Sequence, residues 1–208
     1  MSQDHYFSVE PAIRSRPLTA RLKLPDATLE LVTDRGVFAY GRVDRGTDLL
    51  LRTIPPPPRT GALLDLGCGY GAIAVTLAIR AAGSAVWAVD VNRRALELTR
   101  RNAAASGAIN VIVAEPADVP VDLRFAAVYS NPPIRLGKAA VRALLSEWLA
   151  RLQPDGHAHL VVQRFLGADS LAAWLVSSGF AVERRRSRGG YRVLDVHNAR
   201  ASTHHEDP

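Results

Sequence analysis

From Gly61 onward, apolar and polar positions alternate in a regular rhythm. Short, nearly continuous apolar runs occur at Ala62–Leu66, Ala85–Val89, Val111–Ala114 and Phe125–Ser130. Each predicts a strand buried on both faces. Between and after them, residues 72–82, 93–106, 139–152 and 170–178 repeat with helical period. Gly107 and Gly179 stand just past two of these helices, where a left-handed residue closes the last turn. Further strands are predicted at 159–163, 181–184 and 191–196. Strands alternating with helices imply βαβ units and a mostly parallel sheet, hence an α/β fold with helices on both faces.

The first third of the chain has a different texture. Residues 28–33 and 37–40 are short extended runs on either side of Asp34-Arg35-Gly36, and they predict a hairpin. A short helix is predicted over 48–54, stopped by Pro55-Pro56-Pro57-Pro58, which cannot continue it. Residues 1–58 therefore form an extension on a core over 61–196, all within one domain. The polar stretch 197–208 is expected to be a disordered tail.

Composition narrows the function classes. The 208 residues, 48% of them hydrophobic, suffice for one core and are too few for two ordinary ones. No apolar run is long enough to span a bilayer, and the N-terminus shows no secretory pattern, so a cytoplasmic location is expected. A single cysteine, Cys68, excludes an internal disulfide and a multi-cysteine zinc site. The six histidines show no H-x-x-x-H spacing, and no metal is expected. A monomer is expected. The formal charge is +6, and nearly all of the cations are arginine. That excess suits a polyanion such as RNA, and it is equally what a GC-rich coding sequence produces without selection for binding.

Candidate chemistry begins where the first core strand ends, in Asp65-Leu66-Gly67-Cys68-Gly69-Tyr70-Gly71. Glycines between a strand and a helix let the backbone turn sharply and approach a ligand closely. Their G-x-G-x-G spacing differs from the G-x-G-x-x-G that seats a pyrophosphate. Asp65 beside the loop would repel a pyrophosphate and suits a cofactor carrying an ammonium and a sulfonium. Asp90 ends the second strand, where a carboxylate accepts both ribose hydroxyls of a nucleoside or, alternatively, N-caps the next helix. Val91 follows it into the same site. Asp118, after the third strand, either meets an adenine amino group or is an ordinary loop acid. Cys68 contributes backbone and small size, since no base stands beside it in sequence.

A second motif closes the fourth strand, Ser130-Asn131-Pro132-Pro133-Ile134-Arg135. An exocyclic amine is a poor nucleophile while its lone pair is delocalised into a ring. The Asn131 side-chain carbonyl and the Pro132 backbone carbonyl, holding its N–H groups, favour a pyramidal nitrogen and stabilise its growing positive charge. Proline stiffens that arm and brings no competing N–H. Arg135 and Lys138 follow, either as contacts to an RNA phosphate or base edge, or as solvated charges at a helix start.

These segments resemble the ribosomal small-subunit RNA guanine-N2 methyltransferases, specifically their catalytic methyltransferase small domain. The likeness rests on Thr33–Phe38, Gly41–Thr47, Asp65–Gly71, Ser130–Arg135 with Gly137-Lys138, and Gly190–Leu194. It implies a class I, Rossmann-like seven-stranded sheet with an antiparallel last strand. It also implies S-adenosylmethionine bound at Asp65–Gly71 and Asp90, with the target amine received at Asn131, Pro132, Pro133 and Ile134. Residues 37–47 would close over the cofactor, and ribosomal RNA would be the partner. Ile134 stands where related adenine and glutamine methyltransferases place a stacking aromatic residue. Larger members of the family carry an extra RNA-binding domain that this chain does not show. Arg184-Arg185-Arg186 and Arg188, expected in a loop between the last two strands, either bind RNA or are simply solvated. Rival readings are an N-methyltransferase for a small molecule or protein, and a non-catalytic RNA-binding module.

Overall fold

The computed structural model describes residues 9–199. The chain opens with a two-stranded hairpin, β1 (Leu18–Lys23) and β2 (Thr28–Thr33), closed by the Leu24 N–H donating to the Ala27 carbonyl at 2.8 Å. Alternation places Ala20, Leu22, Leu29 and Leu31 inward and the polar positions outward. The hairpin thus lies one strand earlier than the pattern predicted. Residues 37–40 form turns, not a strand. Outward-facing Thr19, Arg21 and Lys23 disguise β1 as a loop.

The outer edge of β2 meets the second helix of the core, over Arg93–Ala105. There the fully buried Asn102 accepts from Val32 N–H and donates to the Val32 and Tyr70 carbonyls. One side chain so satisfies backbone groups that would otherwise be buried unpaired. Helix α1 (Arg45–Thr53) begins at Asp44, whose carboxylate accepts from Gly46 N–H and Thr47 N–H. It ends at the prolines, as predicted.

The core then runs β3 (Ala62–Leu66), α2 (Ala72–Arg80), β4 (Ala85–Val89), α3 (Arg93–Ala105), β5 (Val111–Ala114), β6 (Phe125–Ser130), α4 (Lys138–Leu149), β7 (Leu152–Gln163), α5 (Ala168–Ser177), β8 (Phe180–Arg188) and β9 (Tyr191–Asn198). The seven strands stand in the order β5-β4-β3-β6-β7-β9-β8. The last strand, β9, is antiparallel to both of its neighbours. This is the class I methyltransferase arrangement. The hairpin and helices α1, α2 and α3 bury one face through residues such as Leu31, Leu50, Leu77 and Leu96. Helices α4 and α5 bury the other through Leu145, Trp148 and Leu175. Each such side chain contributes on the order of 1.5–3 kcal/mol on leaving water.

Several boundaries differ from the sequence reading, and β7 already begins at Leu152 instead of 159. Strand β9 continues through His197 and Asn198, past the expected end of order at 196, because β8 and β7 both offer it hydrogen-bonding partners there. The rest of the expected tail, 200–208, lies outside the described residues. The arginine cluster 184–188 belongs to β8 itself, not to a loop. β8 is an edge strand, and charged side chains on an edge oppose pairing with another chain. The order of strands reverses at β3. A crevice therefore opens beyond the carboxyl ends of β3 and β6, where open α/β sheets bind ligands.

Candidate active site

The crevice is a cavity of about 510 Å³, within the range of small-molecule sites. Its floor is Leu66 and Gly67 at the end of β3, Val89, Asp90 and Val91 at the end of β4, and Asn131 and Pro132 at the end of β6. Gly67 has φ +74°, and a Cβ there would meet nothing within 4 Å, so any side chain would project into the open space. The loop is pinned from behind by Gly67 N–H and Cys68 N–H, both donating to the Val89 carbonyl. Gly69 N–H donates to Asp90 Oδ2 at 2.9 Å, and Asn92 N–H to Asp90 Oδ1 at 2.9 Å. The N-cap of α3 is Asn92, which accepts from Ala95 N–H. Capping is therefore not Asp90's task. Its two oxygens each keep lone-pair capacity for a further donor. Burial raises the Asp90 carboxyl above its ordinary value, opposed by those backbone hydrogen bonds.

Several predicted residues lie outside the cavity wall. Gly71 has φ +86° and N-caps α2, and a Cβ there would come within 2.9 Å of Thr99. It serves the close approach of α2 and α3. Cys68 is buried against Thr99, with its thiol pushed well up by burial, and it presents no nucleophile. Asp118 sits in the short turn Pro116–Asp118, of which Pro116 reaches the cavity. Lys138 is exposed at the start of α4, whereas Arg135 lines the cavity.

Asp65 is fully buried behind the loop. Its Oδ2 accepts from Ala74 N–H at 2.9 Å, and its Oδ1 has no partner. Burial pushes its carboxyl up to about 8, the Asp90 charge adds to this, and the Ala74 bond opposes it. Between its ordinary 3.8 and about 8, the folded chain holds a proton that the unfolded chain releases. The Asp65 contribution to stability therefore falls as pH rises through that window. Replacing Asp65 by Asn is expected to flatten stability against pH over this range in urea unfolding. Equal slopes for both proteins would show that Asp65 stays ionised in the fold.

The extension supplies a further wall, where the resemblance placed residues 37–47, although it singled out no side chain there. Val37, Phe38, Arg42 and Asp44 form one wall of the cavity. They are held down by Tyr70, whose hydroxyl donates to the Arg42 carbonyl, and by Asn92, whose amide donates to the Gly36 carbonyl. Asp44 is the central one. Besides capping α1, its Oδ2 accepts from Asn131 Nδ2 at 2.9 Å, and Thr47 Oγ1 accepts from the same nitrogen at 3.2 Å. A carboxylate only accepts, so the Asn131 amide is fixed with nitrogen toward Asp44. Its Oδ1 has no protein partner among the described residues. Gly46 permits this packing, since a Cβ there would come within 2.8 Å of the Tyr191 ring.

Beyond Asn131 the wall is Ile134 and Arg135 from the arm, Gln163 at the end of β7, Leu166, and Tyr191 at the start of β9. Pro133 has φ −74° and ψ 66°, an inverse γ-turn in which Ile134 N–H donates to the Pro132 carbonyl at 2.8 Å. One lone pair of that carbonyl is thereby used and one remains. Burial raises the Tyr191 hydroxyl, and the Asp44 charge adds to it.

The family model for the methyltransferase small domain matches residues 28–195. This chain belongs to that family. Its cofactor is S-adenosylmethionine, and the open cradle at Gly67 with Asp90 beside it fits the nucleoside and amino-acid parts of that molecule. The chain is 32% identical over 194 residues to the uncharacterized protein YbxB of Bacillus subtilis, covering 92% of this chain and 96% of that one. It is 35% identical over 161 residues to ribosomal RNA small subunit methyltransferase C of Pseudomonas aeruginosa, covering 76% of this chain and 48% of the relative. Among solved structures it is similar to the Thermus thermophilus 16S rRNA N2 G1207 methyltransferase, RsmC, in complex with AdoMet and guanosine. The TM-score is 0.73 and the identity 26%, over 90% of this chain and 52% of that one. The chain thus spans about half the length of the ribosomal RNA methyltransferases it matches.

Proposed function

We propose that this methyltransferase acts on the N2 amine of guanine in ribosomal RNA. The observation that carries this reading is the fixed Asn131 amide. Asn131 lines the cavity together with the glycine loop and with Ile134, Gln163 and Tyr191, and its amide nitrogen is held by Asp44. S-adenosylmethionine supplies the electrophilic methyl group on its sulfonium. Asn131 Oδ1 and the remaining lone pair of the Pro132 carbonyl hold the two N–H groups of the acceptor amine. An amine so held would point its lone pair into the cavity toward the donated methyl group, and its surplus N–H proton would leave to solvent. Preorganised acceptors for the positive charge growing on nitrogen supply the catalysis, with no covalent intermediate.

Gln163 supports guanine as the base. Its side chain has no partner among the described residues and offers an NH2 donor group beside a carbonyl acceptor. That pair matches O6 and N1–H on the edge of guanine that bears N2. Arg42 and Arg135 at the cavity suit a polyanion. So do Arg186 and Arg188 on β8, which have no ion-pair partner among the described residues, whereas Arg185 pairs with Asp195 and Arg184 shares Asp169 with Arg192.

Labelled S-adenosylmethionine, separate pools of ribosomal RNA, ribosomal subunits and transfer RNA, and digestion to nucleosides test this reading. Label in N2-methylguanosine from a ribosomal pool is the expected result. Label in another nucleoside, or only in a protein or small-molecule acceptor, would overturn it.

A further inference from the structure

A second polar cluster lies on β7 and β9, apart from the cavity. On each strand a two-residue spacing places a pair of side chains on one face: His157 and His159 on β7, Asp195 and His197 on β9. The antiparallel register sets His157 opposite His197 and His159 opposite Asp195. None of the four lines the methyl-transfer cavity, and His157 stands six residues before Gln163, the last residue of β7.

Asp195 is 1% exposed. Its Oδ1 lies 2.8 Å from His157 Nδ1 and 3.8 Å from His159 Nδ1, and its Oδ2 accepts from Arg185 Nε at 2.6 Å. The His157 and His197 rings are 5.0 Å apart between centroids. One ligand atom from each of His157, Asp195 and His197 lies within 4.8 Å of the other two. The ion pair with Arg185 accounts for one carboxylate oxygen. It leaves the other facing two imidazoles.

We propose that His157, Asp195 and His197 form a binding site for a divalent transition-metal ion, with zinc as the reference ion. Two imidazoles and one carboxylate oxygen are a donor set that such ions favour over magnesium or calcium, and a solvent molecule completes four-coordination. Arg185 takes the role of the outer partner that orients a ligating carboxylate. On binding, the ion takes the place of the hydrogen between His157 Nδ1 and Asp195 Oδ1, and that imidazole then carries its N–H on Nε2. His159 is buried beside Asp195 and lies outside the ligand set. The His157 side chain is 44% exposed and provides the entry path. The bound ion clamps β7 to β9 and is separate from methyl transfer. The chain's spacing hid this site, because its ligands come together across a strand pair instead of along one helix.

The test uses the full chain in metal-free buffer at neutral pH, with zinc sulfate alone or cobalt chloride alone. One ion per chain is expected, with the visible absorption of four-coordinate cobalt. His157→Ala and His197→Ala are each expected to weaken binding about 100-fold or more, beyond the loss from removing an outer partner. The double variant His204→Ala/His205→Ala controls for the C-terminal histidine pair and is expected to bind as wild type does. Should a strand variant fail to fold, imidazole nitrogen resonances of the wild type give the same answer, with His157 and His197 shifting on zinc addition. No uptake by the wild type, uptake lost with His204 and His205, or shifts confined to other histidines would overturn the proposal.

Discussion

Replacing Asn131 by Ala is expected to abolish most methyl transfer while leaving cofactor affinity within a few-fold of wild type. In the proposed reaction the side chain supplies the oriented acceptor for the substrate amine, whereas the cofactor is assigned to the side of the cavity lined by Gly67 and Asp90. Losing one preorganised polar group at the centre where charge develops costs on the order of 10²–10³ in kcat. Asn131→Asp should be nearly as damaging. It places a second carboxylate against Asp44 Oδ2, now 2.9 Å from the amide nitrogen. Asp44→Ala should lower kcat in the same direction, because the Asn131 amide then loses its orienting acceptor. It should also cost about 1 kcal/mol of stability from the lost cap of α1. Single-turnover methylation, paired with equilibrium titration of S-adenosylmethionine, separates the two effects. An Asn131→Ala protein with wild-type turnover would sink the role assigned to this arm.

The largest effect on cofactor binding is expected from Asp90→Ala. The carboxylate holds the glycine loop through Gly69 N–H and the turn into α3 through Asn92 N–H, and it lines the cavity with lone pairs to spare. A hydrogen bond to a charged group contributes roughly 1.5–3 kcal/mol. Loss of one or two such bonds to the ribose raises the dissociation constant by roughly 10- to 100-fold or more, since 1.4 kcal/mol is a factor of ten. Isothermal titration checks this directly. Asp90→Asn should fall between the two proteins, since an amide oxygen can still accept. If Asp90→Ala binds cofactor as wild type does, the ribose is held elsewhere.

These variants differ in how readily the chain announces them. Asp90 and Asn131 stand at the ends of apolar strands, and Asn131 precedes two prolines, so local sequence marks them. Asp44 stands in Val43-Asp44-Arg45-Gly46, where nothing local separates a helix cap from a group that orients a side chain 87 residues away. The same limit misplaced the hairpin. β1 exposes its polar alternate residues, and only the packing of Ala20 and Leu22 against the core reveals it as a strand. Asp65 shows the reverse case. Its position before the glycines suggested a cofactor contact, yet burial behind the loop leaves it bound to the start of α2, with its second oxygen unpartnered.

Periodicity along the chain was enough for the α/β class, the helix and strand sequence of the core, and the two motifs at the ends of β3 and β6, because each depends on residues within a few positions of one another. Tertiary structure alone decided which residues share the cavity. It turned the Asn131 amide by its bond to Asp44, kept Cys68 and Asp118 off the wall, and set His157 against His197 across two strands. Those outcomes rest on contacts between distant segments, and hydrophobic period carries no information about which polar groups such contacts bring face to face.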